Sequence, residues 1–152
     1  MSAMRVVFSL LVLTLAGCGE SADEEIPLAN YADDPPLGTE YVIGYGETLN
    51  LAEGVSLEFT TLAEDSRCPT GVQCVWEGNA RILLSTFTPR GNGSVELNTN
   101  PQFAISRLFD YYGVELRKLE PYPVVSAQNG TATIPVSSYE ATVYVIRHSS
   151  PP

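Results

Sequence analysis

Val55-Ser56-Leu57-Glu58-Phe59-Thr60-Thr61 alternates apolar and polar side chains with a period of two. Successive residues of a strand point to opposite faces, so this stretch reads as a β-strand with one face in a core and one in water. Outward from it the same period recurs. Glu47 to Leu51 is a shorter strand, joined through Ala52-Glu53-Gly54. Ala80 to Thr88 is rich in Ile, Leu, Phe and Thr, and Ser94 to Asn98 reads as its returning partner. Between them Asn92-Gly93 marks the expected tight turn, since both residues tolerate positive φ.

Further along, Phe103 to Phe109, Gly113 to Leu119 and Ala141 to Arg147 continue the pattern. A second Asn-Gly step, Asn129-Gly130, predicts a short hairpin, placed at an edge by Pro121, Pro123 and Pro135. A helix over Ile105 to Tyr112 is arguable, but its β-rich flanks oppose it. The expectation is an all-β domain over 39–148, a single antiparallel β-sandwich or small barrel of about 8–9 short strands.

The front of the chain is of another kind. Arg5 is followed by an apolar run from Val6 to Ala16. At roughly 20 residues needed for a spanning helix, the run is too short to cross a bilayer, and it has the form of an export signal. Leu15-Ala16-Gly17-Cys18 resembles the lipobox of bacterial lipoproteins. The resemblance implies a signal peptide over 1–17, cleavage before Cys18, acylation of the Cys18 thiol and a membrane anchor there. Gly19 stands where Asp in such lipoproteins often causes retention at the inner membrane. That directs the expectation to a cell-envelope protein of the outer membrane.

Residues 18–38 would then form the lipidated cysteine and an acidic tether containing Pro27, Pro35 and Pro36. Twenty flexible residues span on the order of 25 Å. Residues 149–152 read as a disordered tail. Removing 1–17, which holds one basic residue and no acid, takes the net charge from −10 to −11. An acidic chain without a basic run lacks the Lys and Arg that phosphates demand, so nucleic acid is not an expected partner.

With Cys18 given to the lipid, Cys68 and Cys74 remain as an even pair, and export favours a disulfide between them. Redox use is disfavoured by five intervening residues and no following helix. One histidine and two thiols are too few for zinc.

The segment from Glu64 to Ala80 holds this pair and the single Trp of the chain, Trp76. Its Asp65-Ser66-Arg67-Cys68-Pro69 and Cys74-Val75-Trp76-Glu77-Gly78 resemble a motif of small exported bacterial lipoproteins of unassigned function, with weaker likeness at 119–123. That resemblance carries no activity with it.

As architecture, Pro69 presets a turn over Cys68 to Gly71, Trp76 covers the disulfide and the end of the core, Arg67 pairs with Glu77 or Glu64, and Gly78 permits a bulge. As function, Asp65, Arg67, Trp76 and Glu77 offer a pre-ordered binding surface to an envelope protein or polymer. A third reading, calcium on Glu64, Asp65, Glu77 and Asn79, follows no known loop spacing.

No metal or cofactor is expected. Catalysis has little to stand on, because His148 has no Ser or Asp at a recognisable spacing. The reading is therefore a non-enzymatic structural or binding module. Inhibition of an exogenous hydrolase, protease or lysozyme, is the alternative, and an envelope-polymer enzyme is a third.

Overall fold

The computed structural model of the protein describes residues 35–126, 130–131 and 133–149. The signal segment, Cys18, the tether up to residue 34, Asn129 and the last three residues lie outside the described residues.

Two four-stranded antiparallel sheets form the domain, and among the described residues neither closes into a barrel. One sheet contains β1 (Thr39–Gly44), β6 (Ser106–Phe109), β7 (Tyr112–Glu120) and β10 (Glu140–Arg147), in the order β1-β10-β7-β6. The other contains β2 (Thr48–Leu51), β3 (Val55–Asp65), β4 (Ala80–Thr88) and β5 (Gly91–Asn98), in chain order. A small hairpin of β8 (Val125–Ser126) and β9 (Gly130–Thr131) stands apart from both. The hairpin predicted around Asn129-Gly130 is present, but Gly130 pairs with Ser126 as a strand residue, and residues 127–129 lie outside the described residues. The 105–112 stretch belongs to the β6–β7 hairpin, as its flanks require.

Inward residues of the two sheets make one core. Leu57, Phe59, Ile82, Leu84 and Leu97 meet Ile43, Val114, Val143 and Val145, all fully buried. Each alternates with a wetter neighbour along its strand, which is why the period of two was legible. Tyr45 and Phe59 meet in a T-shaped contact with ring centroids 5.4 Å apart. Residues 35–38, assigned above to the tether, are bonded to the domain. Ala52 donates to the Pro35 carbonyl at 2.9 Å, and the Tyr41 hydroxyl donates to that of Pro36 at 2.6 Å.

Two local expectations are corrected. The β4–β5 turn lies at Pro89-Arg90, since Thr88 pairs with Gly91, and Asn92-Gly93 sits inside β5. Register decides this. It sets Val95 opposite Leu84 and Leu97 opposite Ile82, and a turn at Asn92-Gly93 would break both core pairs.

The second correction concerns Thr61, which the alternation places inside. Along β3, Phe59 pairs with Leu84 while Thr61 pairs with the outward Leu83, so a bulge at Thr60 turns Thr61 to solvent. A second irregularity falls between Leu62 and Glu64 and restores the phase. Asp65 then stands opposite the fully buried Ala80, facing inward at the end of the sandwich.

Candidate functional site

The 66–79 loop leaves β3 and enters β4 at one end of the sandwich. Its two legs bond to each other, Ser66 N–H to the Asn79 carbonyl at 2.7 Å and Cys68 N–H to that of Glu77 at 2.9 Å. Beyond them the Cys68–Cys74 disulfide closes the tip. By chain-entropy reasoning a ring this small stabilises by roughly 2–2.5 kcal/mol. The turn preset by Pro69 over Cys68 to Gly71 takes a different form: Thr70 makes a parallel bridge to Val124, and the chain turns at Gly71 with φ +91°.

Asp65 and Arg67 anchor the loop from below. Their side chains are only 8% and 5% exposed. The guanidinium gives Asp65 a two-pronged contact, Nε to Oδ1 at 2.8 Å and Nη2 to Oδ2 at 2.7 Å. It also donates from Nη1 to the Leu119 carbonyl at 2.6 Å and from Nη2 to that of Pro121 at 2.9 Å, and it lies 4.7 Å from the Tyr122 ring centroid. Leu119 and Pro121 belong to the opposite sheet and its exit, so this one side chain ties the loop across the sandwich. The expected pairing of Arg67 with Glu77 or Glu64 is thereby corrected to Asp65. Glu64 instead takes the Ser66 hydroxyl at 2.9 Å.

Tyr139 completes the cluster, donating its hydroxyl to Asp65 Oδ2 at 2.7 Å. Burial and the bond to the Asp65 carboxylate push the Tyr139 phenol up to about 12. At Asp65 burial favours protonation, but the bonds from Arg67 and Tyr139 and the charge of Arg67 outweigh it, holding the carboxyl below its ordinary value.

The leg at 78–80 is held by three buried asparagines that sequence reasoning did not single out as a set. Asn79 Nδ2 donates to Asn98 Oδ1 at 2.8 Å, and Asn100 donates from its backbone to Asn79 Oδ1 at 3.1 Å and from Nδ2 to the Gly78 carbonyl at 2.9 Å. The signal was Asn98-Thr99-Asn100 at a strand end, residues suited to satisfying turn backbone. Gly78 has φ +78° and lies against the Ser66 carbonyl, so its role is close approach of the two legs rather than a bulge. These bonds occupy Asp65 and Asn79, and among the described residues no three His, Cys, Asp or Glu are grouped to hold a metal.

The sequence-derived binding set therefore divides. Asp65 and Arg67 are interior anchors; Trp76 and Glu77 are exposed. Trp76, expected over the disulfide and the end of the core, is an exposed side chain rather than a core residue. It is half exposed at the mouth of a groove of about 290 Å³ shared with Arg81, Glu96, Phe103 and Arg107. Val72 is half exposed and Val75 fully exposed at the tip.

A second groove, of about 430 Å³, crosses the outer face of β6, β7 and β10 and includes Ser106, Glu115, Tyr144 and His148. Glu115 is paired with Arg117 at 2.9 Å. Among the described residues no hydrogen bond joins Ser106, Glu115 and His148, as a nucleophile–base relay requires.

Fold and loop define a class: a two-sheet antiparallel β-sandwich presenting a disulfide-stapled loop that is anchored from inside. No protein-family model matches the chain, and no curated protein or solved structure matches it either.

Proposed function

We propose that this chain is an exported, lipid-anchored binding module of a bacterial envelope, held by Cys18 and presenting the tip of the stapled loop to an envelope partner. The observation that carries the reading is a contrast within one loop. Its legs are fixed by Arg67, the asparagine set and the disulfide, while Val72, Val75 and Trp76 are left exposed. Exposed apolar side chains cost solubility, and a loop ordered beforehand loses little entropy on association.

Placement supports the same reading. Thr39 enters β1 at the end that pairs with Val145, whereas the loop is tied to Leu119, beside Ala141 and Ile43 toward the far end. At about 3.4 Å per residue the two ends of β1 lie on the order of 17 Å apart, so a chain that joins the domain through residues 35–38 at the Thr39 end leaves the loop facing away from its attachment.

The test uses the full chain in detergent, cosedimented with purified peptidoglycan sacculi and crosslinked to envelope proteins. Val75→Asp and Trp76→Ala are expected to lose capture at unchanged melting temperature. Equal capture by the variants returns the loop to pure architecture. Arg67 is unsuited as a surface probe because it is interior.

A second reading, inhibition of an exogenous protease or lysozyme, is favoured by the full exposure of Val75 directly beside the closed Cys68–Cys74 ring, since a rigid loop enters a cleft at little entropic cost. A panel of such hydrolases left uninhibited at micromolar protein removes it.

A further inference from the structure

We infer that the groove between Trp76 and Phe103 binds a neutral glycan segment. The inference rests on the binding-module reading and names a ligand class for one wall of the same loop. The floor is a row across three strands, Glu64, Arg81 and Asn98, which pair in register on the outer face of β3, β4 and β5. Trp76 from the stapled loop and Phe103 from the β5–β6 connection form the apolar part, each half exposed and neither paired with another ring among the described residues. Aromatic faces of this kind suit the C–H faces of a pyranose, which bring apolar surface on one side and hydroxyls at the edge.

Charge narrows the ligand. Two carboxylates, Glu64 and Glu96, and two guanidinium groups, Arg81 and Arg107, line the groove, a balanced set that favours neither a polyanion nor a polycation. Hydroxyls, which both donate and accept, suit a place that offers carboxylates and guanidinium together. Arg81 is also under-satisfied. It stands 3.5 Å from Glu96 and 4.0 Å from Glu64, and its Nε is buried without a hydrogen-bond partner among the described residues. Buried donors are ordinarily paired, so a hydroxyl that re-aims the guanidinium relieves a standing cost. A peptide laid as an added strand is disfavoured here: β5 is the edge strand of the floor, and beside the groove its Asn98 N–H already donates to the Ala104 carbonyl at 3.0 Å.

Trp76 is the single Trp of the chain, so its emission reports on this groove alone. The full chain in detergent is titrated with chitotetraose, cellotetraose and an anionic oligogalacturonate. Saturable change with a neutral tetramer is expected, half complete at about 1 mM or below. Preference for chitotetraose assigns an N-acetylated envelope polymer, and equal response assigns the neutral pyranose chain in general; both support the inference. Phe103→Ala weakens binding about tenfold, and Arg81→Gln weakens it as well. Should Phe103→Ala unfold, Phe103→Leu keeps the bulk and removes the π-face. Absence of saturation, preference for the anionic oligomer, or variants that bind like wild type overturns the inference. Val75→Asp separates the two readings, since Val75 does not line the groove. It abolishes crosslinking to envelope proteins through the loop tip while leaving glycan titration unchanged, and Phe103→Ala does the reverse.

Discussion

Arg67 and Asp65 are a buried ion pair in which each partner is needed because the other is there. Removing one leaves a charge out of water with nothing to neutralise it, at about 3–5 kcal/mol, whereas replacing both by apolar side chains of similar volume is often close to neutral. Arg67→Met and Asp65→Leu are each expected to lower stability by that amount in urea unfolding, and the double variant to lose less than their sum. Additive losses would show that the two side chains act separately.

The same cluster contributes to both limbs of the protein's pH dependence. Asp65 is held below its ordinary value, so its contribution is complete above about pH 4, where the unfolded carboxyl is already ionised, and is lost as pH falls through the lower folded value. Tyr139 is shifted the other way, to about 12, so its contribution is complete below the unfolded value of about 10 and is lost as pH rises toward 12. Melting temperature against pH is expected to fall on both sides, and Tyr139→Phe is expected to flatten the alkaline side. An unchanged alkaline limb in that variant would remove Tyr139 from the account.

At the scale of elements, the loop legs and the β4–β5 hairpin show two different ways in which backbone is constrained. Gly78 sits with φ +78° where an added Cβ would collide with the Ser66 carbonyl and lie 2.7 Å from the Arg67 Cα. Gly78→Ala therefore forces the legs apart and is expected to cost more than about 1 kcal/mol, the ordinary penalty for Ala at a left-handed position, with a shift in Trp76 emission. Asn92 is the opposite case. It pairs with Phe87 inside β5, so Asn92→Thr is expected to change stability by less than about 1 kcal/mol or raise it, because β-branched residues suit strands. A large loss would mean that Asn92-Gly93 is the turn after all. The period of two located β3, β4, β7 and β10 within a few residues, because each buries one face only. The bulge at Thr60 and the true hairpin turn were not legible, since both follow from which residues of a neighbouring strand reach the core.

For the whole molecule, the proposed anchor has a direct readout. Mass spectrometry of the native chain is expected to find Cys18 as the first residue, carrying acyl chains. An intact Met1 or a bare thiol there overturns the address. Each acyl methylene contributes about 0.8 kcal/mol, so two or more chains would hold the domain firmly at the membrane.

By itself the sequence determined the all-β class, the approximate strands and the pairing of Cys68 with Cys74, because alternation and the closeness of two thiols within one loop are local properties. Only the tertiary structure decided that Asp65 and Arg67 face inward while Trp76 and Val75 face out. That division depends on two irregularities in β3 and on carbonyls of Leu119 and Pro121, more than fifty residues away, which no local pattern records. The physical reason is burial: a charged group is admitted to the interior only where distant chain supplies its partners, and those partners meet only in the folded sandwich.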